Sequence, residues 1–177
     1  MQPLIFPELL SGIPAADNVN INPLLLESYI KLITELETLT VPGDDEQYGS
    51  SVLADINVLQ ALSRRIHYGK FVAESKFRSD EQRYRTLVDN GDAEGVLVLL
   101  TNQAVEDRVL ERSKIKAKTY GRDPGDEAPK IDQKVRPDEI KAVYREMVIP
   151  FTKRVEVDYL FLRCGKQPPG REGGGIL

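Results

Sequence analysis

Between Ser50 and about Phe77 the residues Val52, Ile56, Leu59, Ser63 and Ile66 recur at helical spacing, and nowhere does the chain show a convincing strand pattern. A chain built on such a period must bury helix faces against other helices. The neighbouring segments carry matching start and stop signals. Asn22 followed by Pro23 is a cap and a first-turn proline, opening a helix to about Thr40 with Leu25, Ile30, Ile33 and Leu36 as its apolar stripe. Val41-Pro42-Gly43 ends it, and an acidic loop leads to Gly49. Ser79 is expected to cap a short helix stopped by Asn90-Gly91. Asp92 opens a long helix to about Tyr120, closed by Gly121. A polar, proline-bearing loop follows, and Pro137 or Asp138 starts a last helix to about Arg163, which Pro150 should bend. The expected fold is all-α, a bundle of long helices over 22–163. Residues 1–21 read as an extended segment and 164–177 as a disordered tail.

At 177 residues the chain can bury a core without disulfide or metal. Its net charge of -4 gives no global field for nucleic acid or anionic membrane, but leaves room for a local basic pocket. Cys164 and His67 are the single representatives of their types, so an internal disulfide is impossible, a Cys/His metal cluster lacks ligands, and nothing in the sequence places the two together for nucleophilic chemistry. A reducing, cytoplasmic setting is expected. No apolar run reaches the roughly 20 residues a bilayer needs. The opening MQPLIFPELL lacks a basic start and is interrupted by Pro3 and Pro7, so it reads poorly as a secretory signal.

Arg65 and Lys76 stand eleven residues apart, which puts them on one helical face roughly 16 Å apart along the axis. Gly69, Val72 and Ala73 lie between them, so the face could form a shallow positive bay for a compact dianion. It could equally be a solvated basic face paired with acids such as Glu74, and spacing alone favours that plainer reading. Asn102 and Glu106, and again Thr152 and Glu156, put polar groups at i and i+4 on otherwise apolar stripes. Such residues are functional candidates or members of buried structural pairs. His67 reads as a surface residue rather than as a base.

Four blocks, LQALSRRIHYGKFVAESKF (59–77), LTNQAVEDRVLER (100–112), KTYGRDP (118–124) and EMVIPFTKRVEVDYL (146–160), resemble the fungal and plant chorismate mutases. The resemblance runs from about Tyr48 to Leu162 and more loosely back to about Asn18. It implies an all-helical homodimer that rearranges chorismate to prephenate, for phenylalanine and tyrosine biosynthesis, without cofactor or metal. It also implies roles. Arg65 matches a carboxylate-gripping arginine, and Lys76 a lysine that donates to the ether oxygen of the breaking bond. Glu156 matches an acid that donates to the same oxygen when protonated, with Thr152 beside it. Asn102 and Glu106 match residues at the ring hydroxyl and pocket wall. Gly49 and Ser50 match part of a tyrosine and tryptophan effector site. The reaction needs conformational restraint and stabilisation of negative charge on the ether oxygen, which accords with the scarcity of Cys and His. Glu156 can help only as the neutral acid, and its apolar neighbours Ile149 and Leu160 should favour that form.

One departure carries its own expectation. Family members begin with a long helix that brings an arginine to the second substrate carboxylate, and nothing upstream of Tyr48 matches it. The chain is therefore expected to lack the first helical segment, with impaired activity and a weakened effector response. The alternative function is a non-catalytic helical partner of a full-length mutase.

Overall fold

The computed structural model describes residues 18–37, 48–120 and 136–170. Residues 1–17, and with them most of the expected extended N-terminal segment, 38–47, 121–135 and 171–177 lie outside them. The described elements are α1 (Asn22–Glu37), α2 (Tyr48–His67), α3 (Gly69–Ser79), α4 (Glu81–Asp89), α5 (Ala93–Leu100), α6 (Gln103–Tyr120), α7 (Pro137–Val143), a π turn (Tyr144–Val148) and α8 (Ile149–Arg163). The fold is all-α, and among the described residues no helix is long and apolar enough to cross a membrane.

Two long helices expected from the sequence are each divided. The first breaks at Tyr68, where the amide N–H groups of Phe71 and Val72 both turn to the Tyr68 carbonyl, at 3.1 and 3.5 Å. The second breaks at Thr101-Asn102, because the Asn102 side chain accepts from the Val105 amide (3.2 Å) and starts α6 as a cap. Asn102 and Glu106 therefore do not share a helix interior as the spacing implied. The cap of α4 is Asp80, whose side chain accepts from the Arg83 amide, while the Ser79 hydroxyl donates to the Lys76 carbonyl. At Pro150 the missing N–H is preceded by the wide π turn, closed by the Ile149 amide on the Tyr144 carbonyl.

Helix ends follow glycine chemistry. Gly91 (φ 70°) and Gly165 (φ 74°) each sit just past a helix in the left-handed region. Asp92 N–H bonds to Leu87 O and Gly91 N–H to Val88 O, and Lys166 and Gly165 repeat the pattern on Phe161 and Leu162. The stretch assigned to the tail from residue 164 thus opens with an ordered helix stop.

The described residues divide into two compact units, 18–100 with 152–170, and 101–120 with 136–151. In the first, α1 runs antiparallel to α2. Tyr29 OH donates to Asp55 (2.7 Å), Ser63 OH to Asn22 (2.7 Å), and Ile21 N–H to His67 Nε2 (3.2 Å). Burial and the Asp55 partner push the Tyr29 hydroxyl up to about 12. The sequence stripe of α1 is only partly inward: Leu25 and Tyr29 are buried but Ile30 is exposed. On α2 Ile66 is buried, while Val52 and Ile56 face outward. Packing of α3, α4, α5 and α8 buries Ala73, Phe77, Tyr84, Val88, Val96, Leu100, Val155, Tyr159 and Leu160. In the second unit α6 and α7 run antiparallel, with ion pairs Lys114–Asp138 and Lys141–Glu111. Leu110, Ala117, Met147 and Val148 are buried there.

Candidate functional site

Helices α3 and α8 lie side by side in the first unit and run in the same direction. Gly69, at the start of α3, is buried against Thr152 and Glu156. Glu74, one turn further, bonds to Tyr159 and Arg163, one turn further along α8. This parallel pairing carries Lys76 on one helix and Thr152 and Glu156 on the other. Lys76 is half-buried, and its ammonium donates to the Leu100 carbonyl, at the C-terminal end of α5. A helix C-terminus is the negative pole of its dipole, so it is a fitting seat for a cation. Glu156 is buried, with side-chain contacts to the protein. It also acts on its surroundings. The Tyr84 hydroxyl is raised first by burial and next by the charge of Glu156.

Arg65 occupies the last turn of α2, across the break at Tyr68, and is exposed. Gly49 and Ser50 stand at the opposite, N-terminal end of α2 and are exposed. Sixteen helical residues separate Gly49 from Arg65, roughly 24 Å. In the second unit Asn102 is exposed and Glu106 half-buried. Lys76, Thr152 and Glu156 are thus gathered on one helix pair, and Arg65 borders it along the chain.

Two sequence readings are corrected. Glu74 does not balance the Arg65/Lys76 face; it is 3% exposed and faces α8. Burial pushes its carboxyl up, but the Tyr159 hydroxyl (2.7 Å), Arg78 (2.7 Å) and Arg163 (3.2 Å) outweigh that and hold it below its ordinary range. Burial raises the Tyr159 hydroxyl, and the same contact with Glu74 adds to it. The guanidinium groups of Arg163 and Arg85 also lie 5.0 and 5.4 Å from the centre of the Phe77 ring. His67 is not simply a surface residue. Its Nε2 accepts from Ile21, and its Nδ1 donates to the Ser63 carbonyl (2.8 Å), an arrangement only the neutral ring permits. Burial, with the Lys70 charge, lowers its pKa against the pull of that carbonyl.

Sequence reasoning also passed over Gly69 as a contact residue, Tyr84, and the Leu100 carbonyl. Gly69 had a signal: it is the one glycine between Ser50 and Phe77, and a lone glycine in a helical pattern marks a close approach. The Leu100 carbonyl had none, being main chain. Among the described residues no cluster of His, Cys, Asp or Glu could hold a metal.

Comparison with known proteins decides the family. Residues 49–157 match the family model for chorismate mutase type II. The chain belongs to the chorismate mutase type II family. The chorismate mutase of Saccharomyces cerevisiae is 43% identical over 158 residues, 89% of this chain and 60% of that protein. The Schizosaccharomyces pombe chorismate mutase is 45% identical, over 83% of this chain and 58% of that protein. Among solved structures, the Candida albicans chorismate mutase in complex with L-Trp superposes with a TM-score of 0.79 at 38% identity, covering 90% of this chain and 59% of that one. The chloroplast chorismate mutase of Zea mays gives 0.73 at 34% identity, over 94% and 63%. The chain spans about three fifths of the length of these relatives.

Proposed function

We propose that this chain acts as a chorismate mutase, rearranging chorismate to prephenate on the pathway to phenylalanine and tyrosine. The observation that carries the reading is the α3–α8 pairing, which holds Thr152 and Glu156 against the helix bearing Lys76, in a chain of this family. The rearrangement breaks a C–O bond and forms a C–C bond within one molecule, so it asks for no nucleophile and no net proton transfer. It asks for a folded substrate conformer and for donors at the ether oxygen, where negative charge grows in the transition state. The Lys76 ammonium supplies one donor. Glu156, as the neutral acid, supplies the second, and Arg65 grips a carboxylate. Thr152, Asn102 and Glu106 are read as lining the substrate site. An aromatic amino acid is the effector class, bound near Gly49 and Ser50; the L-Trp of the C. albicans structure and the allosteric phenylalanine and tyrosine of AtCM1 support that class. The working form is a homodimer.

Purified chain should convert chorismate to prephenate, with a rate that falls as pH rises and Glu156 gives up its proton. Glu156→Gln keeps a neutral donor at every pH and should flatten the profile. If the two profiles are superimposable, the assigned role of Glu156 is wrong.

A further inference from the structure

Gly69 stands where a side chain would do specific harm. A Cβ built on it would lie 3.0 Å from the Thr152 carbonyl oxygen, 3.1 Å from the Thr152 Cγ2 methyl and 3.1 Å from Glu156 Cγ. All three neighbours belong to one turn of α8, and one of them is backbone. Rotating a side chain aside therefore cannot relieve the contact completely; α8 itself must give by a few tenths of an ångström. Both side chains met are among those assigned to the substrate.

Other buried glycine contacts do not share this property. At Gly95 a Cβ would meet the side chains of Asp92 and Leu87, neither of them in the candidate site. Gly49, Gly91 and Gly165 have open space around them. An isolated glycine inside a helix is otherwise unfavourable against alanine. Here it stands in place of an ordinary helix former where α3 faces Thr152 and Glu156.

We propose that Gly69 is a positioning residue for the rearrangement, setting through its missing side chain how far the Glu156 acid reaches toward the ether oxygen. The inference rests on the chorismate mutase reading above. Misplacement by a fraction of an ångström acts on the transition state more than on substrate binding, because the donor bond to the ether oxygen strengthens as the C–O bond breaks. Gly69→Ala should therefore lower kcat about tenfold while KM changes less than threefold. The defect should act through Glu156, so in a Glu156→Ala background, where the donor and the Cγ are both gone, the same substitution should lower kcat by less than twofold.

The test measures prephenate formation by the full chain as wild type, Gly69→Ala, Glu156→Ala and the double variant, with circular dichroism to establish folding. Should Gly69→Ala not fold, Gly69→Ala combined with Thr152→Ser is compared with Thr152→Ser alone, since the serine removes the methyl met at 3.1 Å. A kcat within twofold of its reference overturns the role of Gly69. A loss that multiplies fully onto Glu156→Ala overturns it as well, because that is the behaviour of a general packing defect. Absence of prephenate formation in the wild type overturns the chorismate mutase reading, and this inference with it. Activity that is present in the wild type, lowered in Glu156→Ala and untouched in Gly69→Ala overturns this inference alone.

Discussion

Glu74 is the residue on which the sequence and the structure part most clearly. As one acid among the cations of a helix it reads as a surface partner. Packing on α8 instead buries it, and three donors from two helices close around it. Replacing it by glutamine would turn one of its two accepting oxygens into an amide NH2 facing these donors, and would leave the Arg78 and Arg163 guanidinium groups without their counter-charge. Glu74→Gln should therefore lower stability by about 3 kcal/mol at neutral pH. The sign with pH follows from the direction of its shift. The carboxyl is held below its ordinary 4.5, so folding favours the ionised form. That contribution is complete above 4.5 and fades as pH falls through the lowered value. Urea midpoints of wild type and Glu74→Gln should differ near pH 7, and the gap should narrow as pH falls below 4.5; a constant gap would mean that charge is not what the variant loses. Lys76, Thr152 and Glu156 were visible as polar groups at helical spacing, but their gathering on one helix pair was not. Periodicity reports a residue's own helix and is silent about which helix it meets.

At the scale of elements, the helical period, the starts at Asn22-Pro23 and Pro137 and the stop at Asn90-Gly91 located most of the helices, although Asn22 is the first helical residue and its side chain accepts from Ser63 instead of capping. The divisions at Tyr68 and Asn102 were hidden because both lie within unbroken apolar patterns, and a one-residue interruption hardly changes a 3.6-residue period. Gly165 was hidden differently, since a glycine opening a low-complexity stretch looks the same whether or not it closes a helix. The stripes of α1 and α2 were recognised as apolar, yet Leu26, Ile30, Val52, Leu53 and Ile56 are exposed. The proposed homodimer would use such an exposed apolar face as its contact surface. Light scattering during size exclusion should give twice the 19.9 kDa chain mass, and Ile56→Glu should give one chain mass without loss of helicity. A monomeric wild type, or a variant still dimeric, would remove this face from the interface.

For the whole molecule, the all-α class was legible from the absence of alternating patterns, and the family from four short blocks in order. The family model covers 49–157, close to the span those blocks mark out. The proposed rearrangement calls for neither a reactive cysteine nor a histidine base. His67 instead holds the Ile21 amide, and the proposal assigns the chemistry to the Lys76 ammonium and the buried Glu156. The central claim is that the ammonium of Lys76, seated on the end of α5, stabilises the breaking C–O bond. The most direct measurement is the rate of prephenate formation by wild type and by Lys76→Ala at saturating chorismate. The account predicts a loss of at least about a hundredfold in kcat with the fold intact. An unchanged rate in Lys76→Ala would contradict it.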